Sequence, residues 1–404
     1  MLRDRTRVIA AKIFGLSIGV FFIGGFVASS VSLLVPRVRL TLGLDYAPAM
    51  AIQLASHSSY LVLAVPIAAA VSVVGYMRAH AIGLALISAG CGLLIAGLAS
   101  QSFALVLMPL LAVSAGAGFL QIASNNVVTL IGDSERAAIR LNILQGFNSL
   151  GTVVAPLVGA ATIVALPARA QGVPPYALPF GCAAITLAVL ALAFAASRNL
   201  LRGIPVGSTR TSKRGWVGAL RDRRLVAGAV AIFAYVGAEV AIGALLTDFL
   251  MQPSTMALAP VGAARLVSLY WGGAMVGRFA GAWLMGRIAP AGLLRCAAGA
   301  AGLLVIAAIF AHGPIAGAAL IGVGLFNSVM YPTIYVLALP TAPEQATPGA
   351  TLLCMAVVGG AIIPPMTGLA ADQWGLATSL LLPASCYGIV LLFASDFLLT
   401  HTRR

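Results

Sequence analysis

The stretch GLFNSVMYPTIYVL, Gly324 to Leu337, decides the fold because it aligns with GFLQIASNNVVTL, Gly118 to Leu130, in the other half of the chain. Two further pairs follow in the same order: SSYLVLAVPIAA (58–69) with VSLYWGGAMVGR (267–278), and VVAPLVGA (153–160) with AIIPPMTG (361–368). One such match would be weak evidence for a duplication. Three matches in one order and one register predict a duplicated unit.

The composition assigns this duplicated chain to the helical membrane proteins. Its 404 residues are 61% hydrophobic and 8% charged, and the mean hydropathy is +1.03. A soluble protein of this size lacks the interior to bury so much apolar surface. Apolar runs of about 20 residues recur along the chain, and each is long enough to cross about 30 Å of hydrocarbon. Membrane β-barrels are excluded because their strands alternate with period two.

Breaks at proline, glycine and charge clusters divide the chain into twelve predicted membrane spans, numbered here in chain order. The spans are 14–36, 50–76, 81–99, 103–131, 140–166, 176–197, 224–250, 264–286, 292–311, 315–339, 349–371 and 376–399. With the internal repeat, they predict two six-helix bundles, 1–197 and 224–404, joined by a basic linker, 198–223. This is the major facilitator architecture, in which two halves rock about a central site.

The formal net charge of +14 orients the chain and does not indicate nucleic-acid binding. Most of the 24 basic residues fall on one side, in the two termini, the linker and the turns after spans 2, 4 and 8. Arg37, Arg39, Arg169 and Arg265 fall on the other side, and Arg278 lies inside a span. Basic residues accumulate on the cytoplasmic side. We therefore expect cytoplasmic termini in a bacterial inner membrane, with basic residues facing anionic lipid.

Polar side chains within the spans recur three or four residues apart, which places them on one face of each helix. The predicted binding residues on these faces are Gln53 and Tyr60 of span 2, Gln121 and Asn125 of span 4, Gln145 and Asn148 of span 5, Glu239 of span 7, Tyr270 and Trp271 of span 8, and Asn327 and Tyr331 of span 10. Any one of them could simply join helices by a hydrogen bond. Six aligned faces favour a shared wet chamber.

Amide and aromatic side chains together suit a small neutral polyhydroxylated solute, because amides pair with hydroxyls and rings stack on a sugar's apolar face. A facilitator or exporter of another small solute, such as a drug or an organic acid, is the alternative. Against it stand the amide-rich faces, which are not lined by Met and Phe, and the lack of a buried basic residue for an anion. A non-transporting sensor is a further alternative, although the linker and tails are short for a signalling domain.

Motifs of enzymes, cofactor sites and metal sites do not occur in the sequence. The five cysteines lie within apolar runs and form no CxxC pair. No GxGxxG, P-loop, GxSxG or HExxH is present. We expect no enzyme activity, no cofactor and no bound metal.

Glu239, within YVGAEVAIGALL (235–246), is the acid that we place deepest in a span. Burying a carboxylate is costly unless it is paired, protonated or hydrated. It could hold Tyr235 in a structural pair, accept hydrogen bonds from a substrate, or carry a proton. Two other polar residues are expected to have other roles. His57, near the mouth of span 2, has a structural role or lies at the lipid interface, and Arg278 is a gating or structural residue.

Several long stretches resemble the fucose–galactose–glucose:proton symporter family, in particular its glucose/galactose permeases. The matching stretches are RLNILQGFNSLGTVVAPLVG (140–159), YVGAEVAIGALL, YWGGAMVGRFAG (270–281), GLFNSVMYPTIYVLAL (324–339) and VVGGAIIPPMTGLAAD (357–372). The resemblance implies a monomeric transporter that moves a sugar by alternating access, with a proton or possibly sodium as the coupling ion.

The resemblance also carries site residues. Gln145 and Asn148 match the family's Q-x-x-N pattern that contacts sugar, and Gln121 stands where the fucose branch has a glutamate and the glucose/galactose branch a glutamine. Ser32 replaces an aspartate of the first helix, and Asn126 replaces a proline of the fourth. Both acids that couple protons in the fucose branch are therefore absent here, which leaves Glu239 as the candidate.

Overall fold

A computed structural model describes residues 2–100, 102–130, 137–164, 174–200, 213–285, 287–339, 349 and 351–401. Nearly all of these residues are helical. Among them, ten helical segments are long and apolar enough to cross a membrane. Further helices cover the remaining two predicted spans, 2 and 8.

In the first half of the chain, every predicted span corresponds to helix. Span 1 is Leu2–Ser32 and Leu34–Leu42, span 2 is Tyr46–His57, Ser59–Val62 and Ala64–Val74, span 3 is Tyr76–Ala99, span 4 is Phe103–Leu130, span 5 is Ala137–Gly159 with the π-helical Ala160–Val164, and span 6 is Ala177–Ala196.

The second half is built in the same way. Span 7 is Arg223–Met251, span 8 is Pro260–Met285, span 9 is Pro290–Phe310, span 10 is Gly313–Asn327 and Met330–Ala338, span 11 lies within Thr351–Trp374, and span 12 is Leu376–Ser379 and Leu381–His401.

Several helices are interrupted just before a proline, whereas the first break in span 2, at Ser58, has no proline in the turn that follows it. The helices of spans 2, 10 and 12 break at Leu63, at Ser328 and Val329, and at Leu380. Pro66, Pro332 and Pro383 follow these breaks by three or four residues. A proline supplies no N–H, and its ring clashes with the carbonyl one turn earlier. The spans predicted as continuous helices are therefore broken inside the membrane.

Span 1 extends beyond its predicted end at residue 36, so Arg37 and Arg39 lie in a helix and not in an external loop. The Arg37 side chain is buried, and its guanidinium lies 5.5 Å from the ring centre of Tyr176. Arg39 forms an ion pair with Asp248 of span 7. These partners make the charges tolerable there. The prediction that no basic residue is buried is wrong.

The basic linker contains a nine-residue helix, Lys213–Arg221, that we did not expect from its polar sequence. Asp222 then caps span 7, because its Oδ1 accepts from the backbone N–H groups of Arg224 (2.9 Å) and Leu225 (3.2 Å). Residues 201–212 of the linker and Arg169 lie outside the described residues. The division into bundles 1–197 and 224–404 stays a prediction.

Glycines let the spans of the second half cross at close range. A Cβ built on Gly324 of span 10 would overlap the carbonyl oxygen of Tyr270 in span 8. A Cβ on Gly359 of span 11 would likewise overlap the carbonyl oxygen of Phe233 in span 7. Small residues at such crossings allow direct backbone contact, which helices in a membrane use for association.

Replacing Gly324 by alanine should lower the unfolding temperature of the purified protein clearly. The new methyl group would force spans 8 and 10 apart, and overpacking of this kind costs about 1–3 kcal/mol. Gly272 is the matched control, since a Cβ there would meet nothing within 4 Å and alanine favours helix. Equal melting temperatures for the two variants would contradict this close packing.

Candidate functional site

A chain of hydrogen bonds joins spans 8, 10 and 12 through three buried side chains. The Asn327 Nδ2 donates to the Tyr270 hydroxyl (2.7 Å), and the Tyr387 hydroxyl donates to the Asn327 Oδ1 (2.8 Å). The Tyr270 hydroxyl in turn donates to the backbone carbonyl of Glu239 (3.4 Å). Tyr270, which Asn327 supports, therefore joins span 8 to the backbone of span 7. Sequence reasoning missed Tyr387, which has no polar neighbour at helical spacing on its own span.

Glu239, whose backbone carbonyl accepts the last of these hydrogen bonds, is half-buried. Two groups act on its carboxylate: the hydroxyl of Tyr235, one turn earlier on span 7, and the guanidinium of Arg278 on span 8. Tyr235 itself is buried. The carboxylate therefore has one hydrogen-bonding group on its own helix and one opposite charge beyond ion-pair distance, both from the second half of the chain.

Arg278 extends this arrangement to the first half. Its Nη1 donates to the backbone carbonyl of Gln145 (3.3 Å) and to the side-chain Oε1 of Gln145 (3.4 Å). Arg278 is hydrogen-bonded to Gln145, and its positive charge acts on Glu239 at longer range. We name these three residues, from spans 5, 8 and 7, the central cluster. Sequence reasoning left Arg278 out of the binding residues because it lies near the end of its helix.

Two predicted residues of the first half face span 1. The Asn148 Nδ2 donates to the backbone carbonyl of Phe21 (3.1 Å), and Gly25 allows this close approach. Gln53 is only 1% exposed, and its Nε2 donates to the hydroxyl of Ser32 (3.4 Å). Ser32 stands where the resemblance places an aspartate, so an amide–hydroxyl pair occupies that position in this chain.

Aromatic residues of the predicted site form close ring pairs. The rings of Tyr331 and Tyr335 are stacked with centres 6.2 Å apart, and the ring centre of Tyr60 lies 6.2 Å from that of His57 on the same span. The Trp271 ring meets Tyr270 edge-on at 5.1 Å, and a Cβ on Gly243 would lie 3.2 Å from it. The Trp271 Nε1 is buried with no hydrogen-bond partner among the described residues, which is uncommon for an indole.

The remaining polar residues singled out in the sequence lie on spans 2 and 4. Gln121 of span 4 is half-buried. Asn125 and Asn126 lie outside the residues whose side chains are described. His57 lies in the interior of span 2, at the first helix break, and not at the mouth. Its Nδ1 pairs with the Gln53 carbonyl at 3.0 Å, and a Cβ on Gly360 of span 11 would lie 3.0 Å from its ring.

Two polar contacts join the halves at the end of the molecule opposite the linker. The Arg39 Nε donates to the Asp248 Oδ1 (3.1 Å), and the Asp248 side chain is fully buried. The carboxylate of Asp372, at the end of span 11, accepts from the backbone N–H groups of Tyr46 (2.7 Å) and Ala47 (2.8 Å). This pair of contacts, the outer closure, holds spans 1 and 2 against spans 7 and 11.

Comparison with known proteins identifies the family. Residues 16–358 match the model of the Major Facilitator Superfamily. The chain belongs to this superfamily. It is therefore a multi-pass membrane transporter and not an enzyme, and the expected all-helical major facilitator fold is confirmed.

Individual major facilitator proteins are similar over nearly the whole chain. A glucose/galactose transporter of Brucella abortus is 36% identical over 378 residues, which is 92% of this chain and 90% of that protein. The L-fucose-proton symporter of Escherichia coli is 27% identical over 407 residues, or 94% and 92%. A crystal structure of the E. coli fucose:proton symporter superposes with a TM-score of 0.71 at 24% identity, covering 95% and 98%. The resemblance to the fucose–galactose–glucose symporter family is thereby confirmed.

Proposed function

We propose that this protein carries a hexose-type sugar across the bacterial inner membrane by alternating access, with a coupled cation. The observation that carries the proposal is the 36% identity to a glucose/galactose transporter over 92% of the chain. The polar groups of the central cluster support it, because they come from both halves and pair with hydroxyls. A small neutral sugar is the substrate, and both termini are cytoplasmic.

The sugar binds at the central cluster and its neighbours. Gln145 and Asn148 bond to hydroxyls from the first half, and Gln121 lies on the neighbouring span. Glu239 accepts hydroxyls from the second half. Trp271 lies beside the cluster, where its ring stacks on the sugar and its unpaired N–H gains an acceptor on a small rearrangement. Tyr270 and Asn327 act as positioning residues, since their polar atoms bond to one another.

Glu239 is the coupling residue in this proposal. Serine and glutamine occupy the positions of the two family acids, so no carboxylate stands there. The positive charge of Arg278 attracts the Glu239 carboxylate and compensates its charge when the proton leaves. A proton is the favoured coupling ion, and sodium is the competing one. Alternating access then breaks and remakes the outer closure as the halves 1–197 and 224–404 rock, joined by the linker.

Uptake by the purified protein in liposomes tests this function. Radiolabelled galactose or glucose should enter faster than into empty liposomes, and an imposed inward proton gradient should drive accumulation. An imposed sodium gradient distinguishes the coupling ion. Lack of sugar uptake together with transport of an organic acid or a lipophilic cation would replace the proposal by the alternative of an exporter.

Replacing Gln145 by alanine should weaken sugar binding about 10–100-fold. The variant loses the amide that pairs with sugar hydroxyls and leaves Arg278 without its side-chain acceptor, and a lost polar partner costs about 1–3 kcal/mol. Titration calorimetry on the purified protein measures the affinity. Gln373→Ala is the control, because Gln373 is exposed at the far end of span 11. An unchanged affinity in the Gln145 variant would overturn the placement of the site.

A further inference from the structure

The nine-residue linker helix, Lys213–Arg221, has a side that the protein does not cover. Val217 is 48% exposed and Leu220 is 58% exposed, whereas Ala219 is completely buried. Residues three apart lie on one face of a helix, so Val217 and Leu220 form a short apolar stripe, with Ala219 turned toward the protein. Exposing two large aliphatic side chains of so short a helix to water would be unfavourable.

Basic residues accompany this stripe. Arg221 ends the helix and Arg223 follows it, and both side chains are exposed. Helical spacing places Arg221 opposite Ala219 and beside Val217. The sequence of the helix also contains Lys213, Arg214 and Trp216. The helix therefore combines an apolar stripe with positive charge along its flank, which is the composition of a helix that lies in a membrane interface.

The position of the helix fits such a location. Span 7 begins at Arg223, directly after the helix, and Asp222 between them has an extended backbone (φ −74°, ψ 105°). The chain therefore turns sharply at the point where it enters the membrane. A helix that precedes this turn can lie across the membrane surface instead of continuing span 7. Isolated helices of nine residues are marginal in water, so a docking surface would stabilise it.

We propose that the linker helix binds the anionic phospholipids of the inner leaflet, with Val217 and Leu220 between the acyl chains and Arg221 and Arg223 at the phosphate groups. The proposal rests on the proposed orientation, in which the linker is cytoplasmic. The cytoplasmic leaflet is negatively charged, and each basic residue near its surface adds to the attraction. Charge complementarity thus selects a lipid surface as the partner.

Hydrogen–deuterium exchange of the full-length protein in lipid nanodiscs tests this binding without any sugar. One sample contains phosphatidylcholine alone, and the other contains an equal mixture with phosphatidylglycerol. We expect the amides of 213–221 to exchange roughly tenfold more slowly in the anionic discs, because docked helix opens less often. Exchange in the spans should be the same in both discs and reports that the protein stays folded.

Two double variants separate specific docking from general surface charge. Arg221→Gln with Arg223→Gln should abolish the difference between the two lipids. Arg78→Gln with Arg295→Gln removes the same charge from exposed arginines elsewhere on the same face and should preserve it. Equal exchange in both lipids, or equal loss in both double variants, would overturn the proposal. Because no transport is measured, its failure is distinct from failure of the sugar-transport function.

Discussion

Glu239→Gln should abolish sugar accumulation driven by a proton gradient while sugar exchange across the membrane continues. Glutamine keeps the shape of the side chain and can still pair with sugar hydroxyls, but it cannot release a proton. A carrier that moves sugar without a proton only equilibrates it. Uptake against a gradient should therefore fall to the equilibrium level, whereas counterflow of labelled sugar in preloaded liposomes should stay near the wild-type rate.

The same experiment separates the three roles open to this acid. Loss of both accumulation and counterflow, with weaker sugar binding, would make Glu239 a sugar ligand without a coupling role. Unchanged accumulation would dismiss coupling through Glu239. Asp396→Asn is the matched control, since Asp396 is exposed near the end of span 12 and far along the chain from the central cluster. It should accumulate sugar normally.

Arg39→Met should destabilise the closed outer end by about 3–5 kcal/mol, because it leaves the fully buried Asp248 without its ion-pair partner. The Asp248 Oδ2 already has no hydrogen-bond partner among the described residues, so no other group can take over. Arg39 also stacks over the Tyr46 ring at 4.6 Å, and this contact is lost as well. The unfolding temperature should fall, and the outer end should open to water.

A double variant distinguishes the ion pair from simple packing. Arg39→Met combined with Asp248→Leu removes both charges and restores an apolar contact, and such replacements of buried pairs are often neutral. Its unfolding temperature should return close to that of the wild type. Should the double variant be as unstable as Arg39→Met alone, the lost charge partner would not explain the effect. Labelling of a cysteine placed at Ala47 measures opening of the outer end.

Hydropathy predicted the twelve spans because crossing the bilayer requires a long apolar run whatever the tertiary structure. It could not predict the breaks in spans 2, 10 and 12, where apolar periodicity continues through a proline. Nor could it place Arg37 and Arg39 inside a helix. A charge is excluded from a span unless it finds a partner, and the partner of Arg39 lies 209 residues away.

In the candidate site, too, contacts between different spans could not be predicted from the sequence. Helical spacing identified Gln145 and Glu239 because each has a polar or ionisable neighbour on its own span. Arg278 bonds to Gln145 of span 5 and Tyr387 bonds to Asn327 of span 10, so no pattern within one span marks either residue as part of the site. Helical spacing also identified Asn327 and Tyr270. Their side chains bond to each other, and the sequence alone does not distinguish such a positioning residue from one that contacts the substrate.

The carboxylate of Asp372 serves as the missing first acceptor of span 2, although it belongs to span 11. When the halves separate, the two amides at that helix start are exposed, and water can take the place of the acid. The buried partner of Arg39 has no such substitute. Within the outer closure, the contact of Asp372 is accessible to water and can break readily, whereas the buried ion pair of Asp248 resists separation. The Asp372 contact should therefore break first when the outer end of this transporter opens.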